Sequence, residues 1–370
     1  MVKTMARIAI LAWLIGGAFA AHAINRSYRN AHPIGWMHLL PVGETPGWSE
    51  PRWIDLELNH ANVWNNQFSM TDKRTGDVYT YKADFEQSSA IYEFGWALSD
   101  SMAFALEVPY ANRNGGFLDD FIDQFHVIIG SNRFLRHIND PFGNDFSIQT
   151  NGDEHLASQH GQGVGGFKAK LKFWLLKWRS PTPGVCDCGL GFSAQAKFPT
   201  QRSSGGLSSG HNDYSGLVHL GVPMFKYVGV WATAGFTKLG ANNNIEGWPR
   251  REWAQMYELS IDLGLGPNLG LLLQARTESP ILMKEYVNYN YTFTNPEDQA
   301  QERIASGWNS LVEWRGSQSI GLRWRWGKGN QINLFMVEDW GLGDKDERND
   351  KLYVNNAPDV AFISQWHFVF

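Results

Sequence analysis

The sequence predicts an all-β protein, a transmembrane antiparallel up-and-down β-barrel of about twelve strands with a short helix in an extracellular loop. Three observations predict it. Apolar residues recur at every second position in many stretches, short turns alternate with long loops, and a short apolar segment follows positive charges at the N-terminus. Alternation gives a strand one apolar face. A closed barrel is one of the two backbone arrangements that satisfy their hydrogen bonds in lipid.

The last stretch, 359–370, shows the alternation most clearly. One parity holds the apolar residues Val360, Phe362, Trp366, Phe368 and Phe370, and the other holds Asp359, Gln365 and His367. The chain stops on an aromatic residue of the apolar face. In water this would be an exposed apolar edge strand, which is an aggregation hazard. The hazard disappears if the face meets lipid and the edge pairs within the same chain.

Residues 1–23 are predicted to be a cleaved secretory signal peptide. Lys3 and Arg7 precede an apolar run, 8–20, which is followed by Ala21-His22-Ala23. The run is shorter than the roughly 20 residues of a spanning helix, and its flanks are those of a signal peptide; the alternative is a single membrane anchor. Residues 24–51 then form a periplasmic or lumen-plugging segment, with a disordered leader as the alternative. Residues 52–370 form the barrel.

The composition fits a barrel and argues against nucleic-acid binding. The chain has 17 Trp, 12 Tyr, 22 Phe and 38 Gly, which suit aromatic girdles and close strand packing. The mean hydropathy is −0.34, but alternation hides a barrel's apolar face in such an average. The net charge is −5, with acids and bases mixed along the chain. There is no basic stripe for nucleic acid.

Short and long connections alternate between the predicted strands. The strands are expected near 53–63, 78–98, 102–110, 167–173, 188–198, 213–222, 226–239, 253–265, 269–278, 308–326, 331–340 and 359–370. Short turns are expected at 99–101, 178–187, 223–226, 266–268 and 327–330, and long loops at 65–77, 111–160, 199–212, 241–251, 279–306 and 341–357. In bacterial barrels the short turns are periplasmic, so an even count places both termini in the periplasm. Ten or fourteen strands remain possible if strands were merged or split.

Within the longest loop, residues 117–130 have the spacing of a one-faced helix. Apolar residues stand at 117, 118, 121, 122, 125, 128 and 129, and Asp119, Asp120, Asp123 and Gln124 occupy the other face. We expect this helix to fold over or into the mouth of the pore. The alternative is a helix lying in the outer-leaflet interface, although its acidic face is unlike the usual basic kind.

Several short segments carry a family resemblance. They are Leu106-Glu107-Val108-Pro109-Tyr110, Gly116-Phe117-Leu118-Asp119 with the helix through Phe125-His126, Lys197-Phe198-Pro199-Thr200, Val337-Glu338-Asp339 and Ala357-Pro358-Asp359-Val360. In this order they resemble an uncharacterised family of proteobacterial outer-membrane proteins, known only as a domain of unknown function. The resemblance implies an outer-membrane barrel and brings no catalytic residues.

The chain's ending also resembles the terminal strand of Gram-negative outer-membrane barrels, whose final aromatic residue is part of the assembly signal. The resemblance implies that Trp366, Phe368 and Phe370 form such a signal for the barrel-assembly machinery.

The inward parity of the strands carries charges of both signs. Glu93 and Glu107 are expected to face each other across the 99–101 turn, and two facing carboxylates need a cation or a proton. The predicted lumen residues are Glu93, Glu107, Lys168, Lys170, Lys172, Glu258, Arg276, Glu313, Arg315, Arg323 and Arg325. Lysines on the strand beside Glu107 are its natural partners, and Glu258 should face Arg276.

These features predict a porin-like channel in the outer membrane of a Gram-negative bacterium. It would pass small polar or anionic solutes through a charged constriction, narrowed by the 117–130 helix and by residues 24–51. One alternative is a closed, structural or lipid-interacting barrel whose charges fill the interior. The expected partners are outer-membrane lipid, the barrel-assembly machinery and small solutes, with no nucleic acid.

A second alternative is an outer-membrane hydrolase. His211, Asp213, Ser215 and His219 share one face of one strand. Residues two apart on a strand stand too far from each other for most triad contacts. No cofactor or metal is predicted, because Cys186 and Cys188 alone do not make a zinc site. Two free thiols are favoured there over a strained disulfide.

Overall fold

The computed structural model describes residues 26–48, 51–118, 120–122, 124, 143–158, 161–178, 188–200, 204–225, 227–266, 268–289, 291–294, 301–304, 311, 314–327, 329–341 and 360–370. The predicted signal peptide, 1–23, and most of the predicted helix, 117–130, lie outside the described residues. So does Glu313.

Twelve antiparallel strands close into a barrel. They are β1 (Arg52–Asp72), β2 (Val78–Ser99), β3 (Met102–Asn114), β7 (Phe167–Lys177), β8 (Gly189–Phe198), β9 (Asp213–Phe225), β10 (Val228–Lys238), β11 (Trp253–Gly264), β12 (Leu269–Glu278), β16 (Arg315–Trp326), β17 (Asn330–Gly341) and β18 (Val360–Val369). Shorter strands lie between them: β4 (Asp145–Thr150), β5 (Asp153–Ser158), β6 (Gln162–Val164), β13 (Val287–Tyr289), β14 (Tyr291–Thr294) and β15 (Gln301–Ile304).

The barrel closes where the first strand meets the last. Leu56 of β1 lies opposite Tyr92 of β2 on one side and opposite Trp366 of β18 on the other. The remaining barrel strands pair with their neighbours in sequence order, from β2 round to β18. Neither edge of β18 is therefore left unpaired, which removes the hazard of an apolar terminal strand.

Alternate residues of each barrel strand point outward, where apolar side chains are exposed, and inward, where polar and charged side chains are buried. On β16, Leu322 is 49% exposed whereas Arg323 is 2% exposed. The same contrast recurs around the ring, with outward Phe94, Leu171, Leu259 and Phe362 exposed. The predicted facing of the strands is thus confirmed, including the inward direction of the charged residues near position 320.

The first hairpin differs from its prediction. The sequence predicts a polar loop over 65–77, but β1 continues to Asp72 and the turn occupies 73–77. Both strands extend beyond the apolar band, where no apolar face is needed. Alternation therefore stops before the strand does. This longer hairpin is extended further by β4, which pairs with the first half of β2, and by β5.

Three other boundaries were also wrong. Pro223 lies inside β9, in the irregular pairing beside the turn, rather than at the turn itself. β16 begins at Arg315, so the parity that runs back to Trp308 does not reflect one continuous strand. The loop predicted over 279–306 contains β13, which pairs with the end of β1, and the β14–β15 hairpin. Periodicity alone cannot locate such short polar strands.

The helix in the long loop packs on the outer wall of the barrel. Leu118, residues 120–122 and Gln124 are helical. Leu118 and Ile122 are buried against Val360 and Met336, which carry the outward parity of β18 and β17. The expectation that this helix folds over the pore mouth is therefore wrong for its described part, because its apolar face finds outward-facing apolar partners.

Cys188 is disulfide-bonded, and the sequence contains 2 cysteines. The expectation of a free thiol at Cys188 is therefore wrong, and Cys186 lies outside the described residues.

Among the described residues, no helix is both long enough and apolar enough to cross a membrane.

Candidate functional site

The candidate site is the lumen, which the N-terminal segment fills. Residues 26–47 are buried throughout, and they include the short helix α1 (Pro33–Met37). Proline at the first helical turn suits α1 because its missing N–H needs no partner there. The segment crosses the lumen and reaches side chains on opposite sides of the wall, so many of its polar groups pair with the barrel rather than within regular secondary structure.

Two arginines of the segment neutralise the acidic side of the wall. Arg26 lies 3.0 Å from Glu107 Oε2, 3.3 Å from Glu93 Oε2 and 3.5 Å from Asp55 Oδ2. Arg29 pairs with the other oxygen of Glu107. Glu93 and Glu107 are opposite each other in register, as predicted. Facing carboxylates at this level are stable together because cations from the segment lie between them.

A glutamate of the segment pairs with the basic strand β7. Glu44 Oε2 lies 3.0 Å from Lys170 Nζ and 3.4 Å from Lys172 Nζ. Lys170 also lies 3.0 Å from Glu93, and Lys168 lies 3.0 Å from Glu107. The lysines predicted to set selectivity are therefore paired with carboxylates of both the wall and the segment.

Asp213 on β9 holds the middle of the segment. It accepts a hydrogen bond from the backbone N–H of Leu39 at 2.7 Å and lies 3.4 Å from His38 Nδ1. Lys197 of β8 lies 2.9 Å from Asp213 and donates to the carbonyl of Met37. This side of the barrel therefore fixes the residues just after α1.

Strand β12 binds the segment from another side. Arg276 donates to the carbonyl oxygens of Tyr28 and Pro41, both at 2.8 Å. Glu278 pairs with Arg276, with Arg315 at 3.0 Å and with the side chain of Asn30 at 3.2 Å. The charged side chains of β12 therefore form hydrogen bonds with backbone and side-chain groups of the segment, and Arg315 of β16 pairs with one of them, Glu278.

Burial and charge act in opposite directions on the segment's ionisable groups. Burial lowers the pKa of Arg26, but the nearby Glu93, Glu107 and Asp55 outweigh it and raise that pKa. Burial raises the pKa of Glu44, but Lys170 and Lys172 outweigh it and hold that pKa below its usual range. Both side chains stay charged at neutral pH, so the contacts are ionic.

The space left beside these contacts is small. A cavity of about 20 Å³ remains next to Arg26, Asp55 and Gln331, which is enough for about one water molecule.

The predicted lumen residues that the structure describes are all buried, inward-facing members of the wall: Glu93, Glu107, Lys168, Lys170, Lys172, Glu258, Arg276, Arg315, Arg323 and Arg325. Glu258 lies opposite Arg276 in register. Arg323 pairs with Asp262, and Arg325 donates to Gln331 at 3.0 Å. The sequence did not single out Arg26, Arg29 or Glu44. The predicted wall carries seven basic and four acidic residues, an excess that indicates an acidic partner such as Glu44 but gives no signal for Arg26 or Arg29.

The residues of the hydrolase alternative on β9 have other partners. Asp213 binds Lys197 and the segment, and Ser215 donates to the carbonyl of Phe236 at 3.0 Å. His219 lies 2.8 Å from Ser193 Oγ and 3.2 Å from Thr233 Oγ1, and His211 contacts Asn243. These four side chains therefore do not form a catalytic group with one another.

Of the predicted assembly residues, Trp366 and Phe368 lie on the outer face of β18, and Phe370 directly follows the strand. The rings of Trp366 and Phe368 are stacked with centroids 6.3 Å apart, and Phe370 is exposed at the end of the chain.

A family model described as "Protein of unknown function (DUF3187)" matches residues 30–292. The chain belongs to this family. The comparison with curated proteins gives no match. The match begins within the buried segment and covers the charged strands from β1 to β12, so the lumen contacts described above lie mostly inside the family's own region.

Three solved structures illustrate what the chain is similar to. The COG4313 outer membrane channel from Pseudomonas putida F1 is 11% identical, with 90% of this chain and 98% of that chain covered and a TM-score of 0.44. A Pseudomonas aeruginosa FadL homologue is 10% identical, with 95% and 100% covered and a TM-score of 0.37. The NanC porin is 7% identical, with 86% and 98% covered and a TM-score of 0.38. The assignment of the barrel rests on the strand pairing, not on these likenesses.

Acidification is expected to loosen the segment through Glu44, which faces Lys170 and Lys172 of β7, His219 of β9 and its own segment's Arg26. In the docked state, residues 26–48 fill the lumen. A carboxyl group whose pKa is lowered in that state stabilises it at every pH above the group's ordinary pKa, which is 4.5 for Glu44. That stabilisation is lost as the pH falls through the lower docked value. The protection of residues 26–48 against hydrogen exchange, relative to an unfolded chain at the same pH, should therefore stay high from neutral pH down to the ordinary value and decrease below it.

A comparison of variants isolates the contribution of Glu44 to this pH dependence. E44Q should exchange faster than wild type at neutral pH and show a smaller change with acid. The exposed Glu246 provides the matched control E246Q, which should behave as wild type. Equal exchange in E44Q and wild type at neutral pH would show that the ion pairs of Glu44 do not hold the segment.

Proposed function

We propose that this chain is an outer-membrane barrel that acts as a gated channel for small polar or anionic solutes. Residues 26–48 close its lumen, and solutes pass when this segment moves. The observation that carries the proposal is the set of ion pairs that tie the segment to opposite sides of the wall. The location is supported by exposed apolar side chains on the outer face of the barrel strands, a surface far larger than single scattered residues.

The charged wall supports a role in passage. The segment's charged side chains neutralise charges of the wall that would face an open lumen in its absence. If the segment leaves, Lys170 and Lys172 lose Glu44, and Glu93 and Glu107 lose the arginines. The opened lumen then carries both signs, with three lysines along one strand to attract anions. Both termini would lie in the periplasm, with the short turns.

Conductance across planar bilayers tests the proposal. We expect the full mature chain to be closed or to open briefly, and a chain lacking residues 26–48 to give stable, discrete openings. Adding K170E and K172E to the shortened chain should shift its reversal potential toward cation preference. Lys177, exposed at the end of the same strand, provides the matched control K177E, which should leave the preference unchanged.

The second candidate is a permanently closed structural barrel, favoured by the same dense pairing of the segment. A shortened chain that folds, as shown by heat-modifiable gel mobility, but conducts nothing would support this candidate and contradict the channel.

A further inference from the structure

A serine, a histidine and a glutamate meet on the outer face of the barrel, away from the lumen. His60 of β1 lies with its Nδ1 2.9 Å from Ser88 Oγ of β2. Its Nε2 lies 2.8 Å from Glu86 Oε2, an ion-pair distance without the alignment of a good hydrogen bond. In the tautomer protonated at Nε2, the imidazole accepts the serine proton at Nδ1 and directs its N–H toward the carboxylate.

The sheet register produces this contact. His60 lies directly opposite Ser88, and Ser88 lies directly opposite Asn112 of β3. Glu86 precedes Ser88 by two positions and so shares its face. Side chains opposite each other on one face have Cβ atoms about 5 Å apart, which is the separation that a serine–histidine hydrogen bond needs. Unlike the β9 residues, these side chains are on two paired strands.

The loop after β3 covers the acid and leaves the base reachable. The backbone N–H of Leu118 donates to Oε1 of Glu86. A Cβ at Gly116 would overlap the same carboxylate, so only glycine permits this approach. The ring of Phe117 stacks on His60 with centroids 5.5 Å apart. Glu86 is 1% exposed, whereas the His60 side chain is 29% exposed.

An apolar groove of about 670 Å³ lies beside the cluster. Its lining includes Leu58, Ala90, Tyr110, Leu334 and Phe362, with His60, Ser88 and Asn112 at one side. This volume is in the usual range for a small-molecule site. An apolar groove that ends at a polar nucleophile and base suits an extended hydrocarbon chain attached to a polar reactive group.

The groove and cluster lie near the rim of the apolar band. At about 3.3 Å per residue and a tilt of about 40°, His60 is roughly 20 Å up the wall from the start of β1, in a band about 25 Å tall. The next row toward the short turns holds Leu58 and Tyr110, and the next row toward the long loops holds Asn62 and Glu86. The ester linkages of lipids lie at this boundary between acyl chains and head groups.

We propose that Ser88, His60 and Glu86 hydrolyse a carboxylic ester of a membrane lipid, with the groove taking the acyl chain. Glu86 is a positioning residue, which holds the imidazole and stabilises its charged form. Asn112 is placed to donate to the oxyanion that forms beside Ser88. The inference rests on the proposed membrane location and does not depend on the lumen being a channel.

The reaction needs only water as co-reactant. Ser88 Oγ bonds to the ester carbonyl carbon while its proton moves to His60 Nδ1. The carbon–oxygen bond to the alcohol part of the lipid then breaks, and that oxygen takes the proton from His60. Water attacks the acyl-serine and gives a proton to His60. The bond from carbon to Oγ breaks, the serine recovers its proton, and the fatty acid leaves.

Two measurements on the full chain test the proposal. In detergent micelles, we expect a fluorophosphonate to label Ser88, as located by peptide mass spectrometry. In vesicles of phosphatidylethanolamine and phosphatidylglycerol, and separately with purified lipopolysaccharide, we expect release of free fatty acid. Release from either lipid supports the proposal and identifies the source of the ester. Labelling in micelles requires no open lumen, so failure of the channel proposal leaves it intact.

Variants separate catalysis from structure. S88A and H60A should lose activity by about 10³-fold or more. E86Q should lower kcat by about 10²-fold with KM unchanged. If Glu86 only held the backbone of Leu118 in place, its replacement would not lower kcat while leaving KM unchanged. The matched control is S69A, since Ser69 makes an exposed hydrogen bond to Thr80 across the same two strands. S69A should retain full activity.

The proposal is overturned if folded wild-type protein is not labelled at Ser88 and releases fatty acid from neither lipid. It is equally overturned if release persists in S88A. Because the covalent label is read on wild type, the test stands even if a variant fails to fold.

Discussion

Reversing the charges of Arg26 and Arg29 is expected to hold the channel open. In R26E/R29E, the segment would bring two carboxylates against Asp55, Glu93 and Glu107, which it now neutralises. Breaking one buried ion pair costs about 3–5 kcal/mol. Even one such loss lowers the docked fraction relative to the undocked by more than about a hundredfold. Planar bilayers should show long openings like those of the chain lacking residues 26–48.

The matched control for this charge reversal is K73E. Lys73 is exposed in the turn between β1 and β2, and K73E should leave the closed state unchanged. High salt should not mimic R26E/R29E, because buried pairs are screened much less than exposed ones. If R26E/R29E folds and stays closed, the segment is a fixed part of the interior, and the structural barrel becomes the better description.

Most of the barrel could be predicted because each strand carries its own evidence. The hairpin around the 99–101 turn shows why: Phe94 and Leu106 have one parity, and Glu93 and Glu107 the other, so facing and register follow from the sequence. A register shift of one residue would turn every apolar side chain of a strand from the outer face of the barrel to the lumen. Strong local patterns of this kind leave few alternatives.

The filling of the lumen could not be predicted in detail. Residues 26–48 have no regular period, and their hydrogen bonds go to side chains such as Asp213 and Arg276, far away in sequence. Which arginine meets which carboxylate depends on the closed barrel as a whole. The sequence could indicate only that the inward charges need counterions.

The outer cluster was missed for a different reason. His60 and Ser88 are brought together by the register across the 73–77 turn. The polar residues between 65 and 72 suggested a loop, so the pairing of β1 with β2 could not be extended from the turn. Because the sequence predicted a loop over 65–77, the register of β1 against β2 was not defined, and His60 could not be placed beside Ser88.

Removing the last side chain, in F370A, is expected to reduce the amount of assembled barrel several-fold in cells while leaving its stability almost unchanged. Phe370 is 65% exposed, and its backbone N–H reaches Arg52 O at 3.4 Å, a contact that alanine keeps. Exposed substitutions usually change stability by no more than about 0.5 kcal/mol. An assembly defect would therefore reflect recognition of the terminal aromatic, as the resemblance to other terminal strands implies.

Leu98 offers the matched control for this variant. It is 55% exposed and lies at the same end of the barrel, on β2, but not at the chain terminus. L98A should assemble normally, and urea unfolding of refolded F370A, L98A and wild type should give similar midpoints. A lowered midpoint for F370A would assign its defect to strand pairing at the β1–β18 closure. Normal assembly of F370A in cells would show that Trp366 and Phe368 suffice, because their stacked rings would then present all the aromatic surface that assembly requires.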